Sequence, residues 1–319
     1  MEHRRIQAAL SEVQAVLDAE DRWLRPRDSK NRPGGILLLK EDVPCLVVPD
    51  LHGRADFLKA VLAWNTGEGS VQARLAEGKL QLVCLGDGMH SELRGRGRWL
   101  EAFKEFETQF TEASPHMDQE MGENLDTMVL VMELKGRFPG FFHFLKGNHE
   151  NVTDETGRGN HPFAKFVLEG AMSKAWILQN LGQTVLDQWD RFERSLPLLA
   201  RGRHFVVSHA RPKTAYSFER LIGYREDPEV IEGLTWTRDP QAEPGAIGQM
   251  FASLLGGDPH ESIWIAGHTP VARLFRQDLK EGLLLIHNPS RRAVCRLDKG
   301  VKFDPEEHII ELPDPGASI

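Results

Sequence analysis

Short apolar runs alternate with longer amphipathic stretches along most of the chain. The runs are four or five residues long, which predicts buried strands rather than helices. They lie at 36–39, 45–48, 81–85, 141–145, 204–207 and 262–266. At the N-terminus, apolar side chains recur at helical spacing over 4–24, so a helix is predicted at about 1–27. Strands that alternate with helices predict an α/β protein built from layers.

The C-terminal part of the chain has a different pattern. Apolar segments at 271–275, 282–287 and 293–297 follow one another closely, and turn residues such as Asn288-Pro289 lie between them. Close spacing with turn residues is typical of antiparallel strands. These segments are therefore predicted to be a set of hairpin strands that closes the sheet.

Residues 91–123 are predicted to be an insertion. The segment begins with arginines and glycines and ends in a predicted polar loop at 114–124. Between them lies a predicted helix with an aromatic face, which favours packing onto the body of the protein. The aromatic side chains are Trp99, Phe103, Phe106 and Phe110. Because no change of composition marks a boundary, residues 1–319 are predicted to form a single domain that carries this insertion.

The 319 residues carry a formal net charge of −8, with 27% charged and 40% hydrophobic residues. These values are typical of a folded soluble protein, and the acidic balance argues against a broad nucleic-acid-binding surface. No apolar run reaches the ~18 residues of a membrane span, and the first residues lack a signal peptide's apolar core. A cytoplasmic protein is therefore predicted. The three cysteines form no Cys-x-x-Cys pattern and are predicted to be reduced, structural thiols.

Five of the apolar runs lead directly into residue types that bind metals. Those residues are Asp50, His52, Asp87, Asn148, His209 and His268. The carboxyl ends of strands in an α/β sheet form a common crevice, so these side chains are expected to converge. Carboxylate, amide and imidazole donors together suit Mn, Fe or Zn rather than Ca. A second Gly-Asn-His, at 159–161, follows polar residues and is interpreted as a surface loop.

Taken in order, these motifs resemble the calcineurin-like metallophosphoesterase superfamily, and within it the serine/threonine phosphoprotein phosphatase branch. The resemblance spans about 44–298 and is interrupted by the insertion. Residues 124–150, with their terminal Gly-Asn-His-Glu, and LTWTRDP at 234–240 are similar to segments of that branch. SHARP at 208–212 and GHTPV at 267–271 are similar to its later motifs. The implied fold is a two-sheet β-sandwich flanked by helices, with four layers.

The resemblance also implies roles for individual residues. Metal one would bind Asp50, His52 and Asp87, and metal two would bind the bridging Asp87 together with Asn148, His209 and His268. His149 would be the general acid or a phosphate contact. Two divalent cations would then activate a bridging hydroxide for in-line attack on phosphorus, while a nearby imidazolium protonates the leaving group.

The chain departs from this family pattern after Asp87. The phosphatase branch has Asp-Arg-Gly there, in which Asp orients the catalytic His and Arg holds phosphate. Here the insertion begins instead, and His90 stands in place of the acid. Glu92 is the nearest acidic residue in sequence, which gives the hypothesis that it orients His149. Retained hydrolysis through a remodelled loop is favoured over loss of activity or a shift to another phosphoester.

Several arginines are candidate substrate contacts, because a guanidinium fork matches phosphate oxygens. They are Arg94, Arg96, Arg211 and Arg238. The predicted function is a dimetal phosphatase of phosphoproteins or small phosphomonoesters. Hydrolysis of diadenosine polyphosphates or phosphodiesters is an alternative, and a metal-stabilised binding module without catalysis is a further one. The expected partner is a phosphorylated protein or small molecule, and no association with a membrane is expected.

Overall fold

The computed structural model of the protein describes residues 2–255 and 262–313. Its strands are β1 (Ile36–Leu38), β2 (Cys45–Val48), β3 (Gln81–Cys84), β4 (Phe142–Phe144), β5 (Leu199–Arg201), β6 (Phe205–Ser208), β7 (Ile263–Ala266), β8 (Arg276–Asp278), β9 (Leu283–Leu285), β10 (Ala293–Leu297) and β11 (Ile309–Glu311). Its α-helices are α1 (Glu2–Asp18), α2 (Ala55–Ala63), α3 (Val71–Ala76), α4 (Arg96–Glu107), α5 (Pro115–Arg137), α6 (Glu169–Asn180), α7 (Gln183–Ser195), α8 (Phe218–Ile222), α9 (Pro228–Thr235), α10 (Ala246–Leu254) and α11 (Pro305–His308). Short 3-10 helices lie at Glu92–Gly95, Tyr224–Glu226 and Asp239–Gln241.

The strands form two mixed sheets. The six-stranded sheet has the order β1-β5-β6-β7-β9-β8, and the five-stranded sheet has the order β11-β10-β2-β3-β4. Strands β2, β3 and β4 are parallel to one another, and so are β6, β7 and β9. Each parallel set therefore presents its carboxyl ends at one edge of its sheet, which is where ligand-binding loops converge in α/β proteins.

Alternate side chains of the strands fill three apolar layers. Val47 of β2 and Val207 of β6 lie between the two sheets, whereas their neighbours Leu46 and Val206 pack against helices on the outer faces. Successive side chains of a strand face opposite sides, so a strand covered on both sides is apolar throughout. The layers of helix, sheet, sheet and helix confirm the predicted α/β fold class.

The C-terminal strands differ from the predicted hairpin set. Residues 271–275 are not a strand, because the Asn288 amide donates to the carbonyls of Val271 and Arg273 and holds this segment in a turn. Strand β9 pairs parallel to β7 and antiparallel to β8. Strand β10 leaves that sheet and pairs antiparallel to β2 in the other one. The prediction of one closing hairpin set was therefore wrong in its pairing.

The end of the insertion is helical, so the predicted polar loop at 114–124 was wrong. Helix α5 begins at Pro115, a residue whose fixed φ suits a first helical turn. Met117 and Met121 lie one turn apart and are buried, as an amphipathic helix requires. The polar side chains of Glu120 and Asn124 are buried too, because they accept hydrogen bonds from the backbone of residues 90–91.

The N-terminal helix is shorter than predicted. Helix α1 ends at Asp18, and residues 19–27 continue as turns rather than as helix. Its apolar face, which includes Leu10 and Val13, is buried in the core that also contains residues of α5 and α7. Within residues 2–255 and 262–313, no helix is both long enough and apolar enough to span a membrane.

Candidate metal centre

The loops that follow five strands meet at one edge of the sandwich. They extend from β2, β3 and β4 of one sheet and from β6 and β7 of the other. The structure brings together the six side chains predicted to bind metals, and all six are buried: Asp50, His52, Asp87, Asn148, His209 and His268. We divide them into group one (Asp50, His52 and Asp87) and group two (Asp87, Asn148, His209 and His268).

In group one, an imidazole nitrogen faces the group's two carboxylates, and Glu92 Oε2 lies 3.6 Å from the same nitrogen. His52 Nε2 lies 3.6 Å from Asp87 Oδ2 and 4.0 Å from Asp50 Oδ2. The other ring nitrogen, His52 Nδ1, lies 3.0 Å from the His90 carbonyl oxygen. A proton on Nδ1 can be donated to that carbonyl, which leaves the lone pair of Nε2 directed at the carboxylates. This is the tautomer that a metal ligand requires.

In group two, the Asn148 amide oxygen lies between two imidazoles. Asn148 Oδ1 is 2.9 Å from His209 Nε2 and 2.9 Å from His268 Nδ1. His209 Nε2 also lies 3.4 Å from Asp87 Oδ2, while its Nδ1 is 3.0 Å from the Leu85 carbonyl oxygen. Asp87 therefore contributes the same carboxylate oxygen to the surroundings of both groups.

Burial controls the protonation of the site. It raises the pKa of Asp87 well above its usual range, and the nearby Glu150 and Asp50 raise it further. Burial lowers the pKa of His52 and of His209 well below the usual value, and it lowers that of His268 to about 3. Buried carboxylates beside neutral imidazoles are stable as charged groups only when a cation compensates them.

The donor set fits divalent cations. The two aspartates supply carboxylate oxygens, Asn148 an amide oxygen and the histidines neutral nitrogens, a combination suited to Mn, Fe or Zn. Asp50 Oδ1 is buried without a hydrogen-bond partner in the described residues. Because buried polar groups in proteins normally have a hydrogen-bond or metal partner, this unpaired oxygen supports a role for Asp50 as a metal ligand.

The ligand loops have a strained backbone. His52, Asp87 and His268 have φ values of +46°, +48° and +55°, a region that side-chain-bearing residues occupy rarely and at a cost of about 1–3 kcal/mol. Glu150 holds the Asp87 loop in place, since its carboxylate accepts the backbone N–H groups of Asp87, Gly88 and Gly147. The last residue of the Gly-Asn-His-Glu motif therefore positions the candidate ligand Asp87.

Gly147→Ala is expected to weaken the site, because a Cβ at that position would collide with Asp87 Oδ1. The Asp87 carboxylate or the Asn148 loop must move, at a cost of about 1–3 kcal/mol in the free energy of unfolding. Denaturant titration measures the loss in the free energy of unfolding, and metal titration measures the loss of metal affinity. Gly140→Ala is the control, since nothing lies within 4 Å of the added atom. Unchanged metal affinity in Gly147→Ala would contradict the packing argument.

His149 lies beside the two groups. Its Nε2 is 3.9 Å from Asp87 Oδ2, and its backbone N–H donates to Asp87 Oδ1 at 2.9 Å. The ring stacks on His90, with centroids 4.9 Å apart and an interplanar angle of 30°. Burial lowers the pKa of His149 well below its usual value, and the neighbouring His90 and His52 lower it further.

Glu92 does not hydrogen-bond to His149, so the hypothesis of a direct pairing was wrong. The Glu92 carboxylate instead accepts from Lys165 Nζ at 2.9 Å and lies 3.2 Å from His287 Nε2. His149 Nδ1 has no hydrogen-bond partner among the described residues. Another carboxylate lies close to the His90 ring that stacks on His149. Glu169 Oε1 is 3.6 Å from His90 Nε2.

The candidate arginines differ in their surroundings. Arg94 lies next to the site, because its Nη2 donates to the His52 carbonyl oxygen at 3.1 Å. Arg211 is buried and donates to Asp239 at 2.9 Å. Arg96 and Arg238 are exposed, and the positive charge of Arg238 adds to the effect of burial in lowering the pKa of His268. Their roles in substrate binding stay predictions.

Two residues at the site were missed from the sequence. Arg54 donates to the backbone carbonyl of Asp50 at 2.8 Å and fixes the start of that loop. His287 is fully buried, with its Nδ1 3.5 Å from Asp50 Oδ2. The sequence did contain a signal for His287, because the apolar run 282–287 ends in a histidine, just as the other runs lead into candidate ligands. That run was assigned to a hairpin, whereas β9 is in fact parallel to β7.

No protein-family model matches the sequence, and no curated protein matches it significantly. Among solved structures, a protein serine/threonine phosphatase from Saccharomyces cerevisiae, with similarity to human phosphatase PP5, superimposes with a TM-score of 0.59. It is 13% identical, and the match covers 97% of this chain and 88% of that one.

Two further structures match less closely. A protein provisionally described as a diadenosine tetraphosphatase gives a TM-score of 0.45 at 15% identity, covering 89% of this chain and 100% of that one. A cold-active protein-tyrosine phosphatase of a psychrophile Shewanella gives a TM-score of 0.41 at 15% identity, and the match covers 88% of this chain and 82% of that one. On the strength of the first match, the chain has the fold of the yeast serine/threonine phosphatase.

Proposed function

We propose that the protein is a phosphoester hydrolase that uses two divalent cations, with phosphoproteins or small phosphomonoesters as substrates. The observation that carries the proposal is the position of Asp87. Its Oδ2 lies 3.6 Å from His52 Nε2 in group one and 3.4 Å from His209 Nε2 in group two. A carboxylate shared by two sets of donors supports a pair of cations, as dimetal phosphoesterases require.

In this proposal, group one holds metal one and group two holds metal two, with Mn, Fe or Zn as the candidate ions. Two bound divalent cations lower the pKa of water and neutralise phosphoryl oxygens, which is the chemistry that phosphoester hydrolysis needs. Asp50 and Asp87 contribute −2 against +4, which leaves +2, and the charge of Glu92 at the site is offset by its ion pair with Lys165. That local charge attracts a phosphate dianion although the whole chain has a net charge of −8.

His149 is proposed to act on the substrate rather than on the metals. Its ring lies at the edge of both groups, 3.9 Å from Asp87 Oδ2, and the stacked His90 ring holds its orientation. From there the neutral imidazole can donate a hydrogen bond to a phosphoryl oxygen. To protonate the departing oxygen it must first take up a proton, which the charge of a bound phosphate dianion beside the ring favours. Arg94, bound to the His52 carbonyl, is the arginine best placed to contact the same substrate.

A metal-dependent assay tests the proposed function. Protein stripped with a chelator is expected to be inactive on para-nitrophenyl phosphate and to regain activity with Mn²⁺. Asn148→Ala should abolish that recovery, because it removes a donor of group two. Asn180→Ala is the matched control, since Asn180 is exposed at the end of α6, and it should keep full activity.

A substrate panel then separates the possible activities. Phosphopeptides and small phosphomonoesters are expected to be hydrolysed faster than dinucleoside polyphosphates and bis-para-nitrophenyl phosphate. Faster hydrolysis of either of the latter would reassign the substrate class while keeping the dimetal chemistry. Binding of two metals with no hydrolysis of any member of the panel would contradict the enzyme and favour a binding module.

A further inference from the structure

We propose that His287 is an additional ligand of metal one, through its Nδ1, and that Glu92 is the carboxylate that orients it. The proposal rests on the dimetal function proposed above. It adds one donor to group one, from a strand that follows the last of the ligand motifs, and it gives Glu92 a role at metal one rather than at His149.

The first step is the direction of the His287 ring. His287 follows β9, whose carboxyl end lies at the same edge as that of β7. The side chain is fully buried, and Nδ1 lies 3.5 Å from Asp50 Oδ2. The ring centroid is 5.3 Å from that of His52. Nitrogens of both rings and the Asp50 carboxylate therefore surround one common position, and ligand atoms of these three residues all lie within 4.8 Å of one another.

The second step is that Nδ1 lacks any other partner. It makes no hydrogen bond with the described residues, and 3.5 Å is too long for a good hydrogen bond to Asp50. A buried imidazole nitrogen of this kind normally finds a partner. A cation between His287 Nδ1, Asp50 and His52 Nε2 would satisfy all three groups at once.

The third step is the tautomer. His287 Nε2 lies 3.2 Å from Glu92 Oε2, so its proton is donated to that carboxylate and the lone pair remains on Nδ1. Glu92 is itself held by Lys165, whose Nζ donates to Oε1 at 2.9 Å. A carboxylate behind a metal-binding histidine fixes the orientation of the ring and raises its basicity.

The backbone at Glu92 supports the same assignment. Glu92 has φ of +52°, although it is not glycine and its side chain is buried. Such a conformation persists only where surrounding contacts enforce it, and it is common at functional sites. Here the enforced conformation directs the carboxylate to His287 and Lys165. With His287, four side chains of the chain surround metal one, as four surround metal two.

Metal titration of three variants tests the assignment. His287→Phe keeps an aromatic ring but removes both nitrogens, and it is expected to weaken one of two Mn²⁺ sites by more than about 100-fold. Glu92→Ala should weaken the same site by about 10–100-fold, the usual effect of losing an outer carboxylate. His143→Phe is the matched control, because His143 is buried in β4 outside the site. Calorimetry and elemental analysis measure affinity and stoichiometry without relying on turnover.

The outcomes separate this inference from the proposed function. Wild-type protein that binds fewer than two equivalents of Mn²⁺ contradicts the dimetal site, and the assignment of His287 with it. Wild-type protein that binds two equivalents, with both variants retaining the affinity of His143→Phe, overturns only the His287 assignment. If His287→Phe does not fold, Glu92→Ala carries the test, since it leaves the His287 ring in place.

Discussion

Asp87→Asn is expected to weaken the binding of both cations together. The Asp87 carboxylate lies within 3.6 Å of His52 and 3.4 Å of His209, so no other described side chain serves both groups in the same way. An amide keeps the shape but removes the charge that compensates two cations. We expect elemental analysis to find less than one equivalent of Mn²⁺ where the parent protein holds two.

Asp87→Asn should affect the melting temperature differently in the metal-free and the metal-bound protein. Without metal, burial disfavours the charged carboxylate, so Asp87→Asn should keep or raise the melting temperature. With saturating Mn²⁺, the variant should lack most of the stabilisation that binding to the folded state supplies. Asp126→Asn, an exposed position on α5, is the control for loss of one carboxylate. Retention of two full equivalents of metal in Asp87→Asn would contradict the bridging role.

His149→Ala should keep its metals and lose turnover. We assign the imidazole to the substrate because each proposed metal has its donors without it, and because the ring stacks on His90 at the edge of the site. For a substrate with a poor leaving group, we expect turnover to fall ~10²–10⁴-fold, the usual contribution of general acid catalysis. For para-nitrophenyl phosphate the loss should be smaller, since para-nitrophenolate departs with little protonation.

The comparison of leaving groups decides between two roles for His149. A general acid gives a larger loss on alkyl phosphates than on para-nitrophenyl phosphate. A phosphate contact gives equal losses on both, because the phosphoryl group is the same. His204→Ala, at an exposed position just before β6, is the control and should leave both activities unchanged. Loss of bound metal in His149→Ala would instead place this ring among the ligands.

The convergence of the six candidate ligands could be predicted from the sequence because two regularities combine. A strand covered on both faces is apolar throughout, so its end is visible where CLVV gives way to Pro49-Asp50 or QLVC to Leu85-Gly86-Asp87. Parallel strands then bring their carboxyl ends to one edge whatever the loop lengths are. The convergence of these strand ends could be expected without knowing which strand pairs with which.

Features that depend on pairing could not be predicted in this way. The run 282–287 has the same pattern as the ligand strands, but close spacing suggested a hairpin, and only its pairing with β7 brings His287 to the site. In the segment 114–124, Glu120 and Asn124 are polar because they accept hydrogen bonds from the backbone of residues 90–91. Local sequence does not distinguish a buried hydrogen-bond acceptor from a solvated one.

The direct pairing of Glu92 with His149 was wrong for a related reason. Nearness in sequence to His90 suggested His149 as the partner, but the left-handed backbone at Glu92 directs its carboxylate towards Lys165 and His287. Both partners come from distant parts of the chain. Tertiary contacts therefore decided a pairing that sequence spacing alone could only suggest.

Anomalous diffraction from crystals grown with Mn²⁺ tests the central claim most directly. We predict two anomalous peaks about 3.5–4 Å apart, one bound by Asp50 and His52 and the other by Asn148, His209 and His268, with the Asp87 carboxylate contacting both. A single peak, or peaks that do not share Asp87 as a ligand, would contradict the dimetal account.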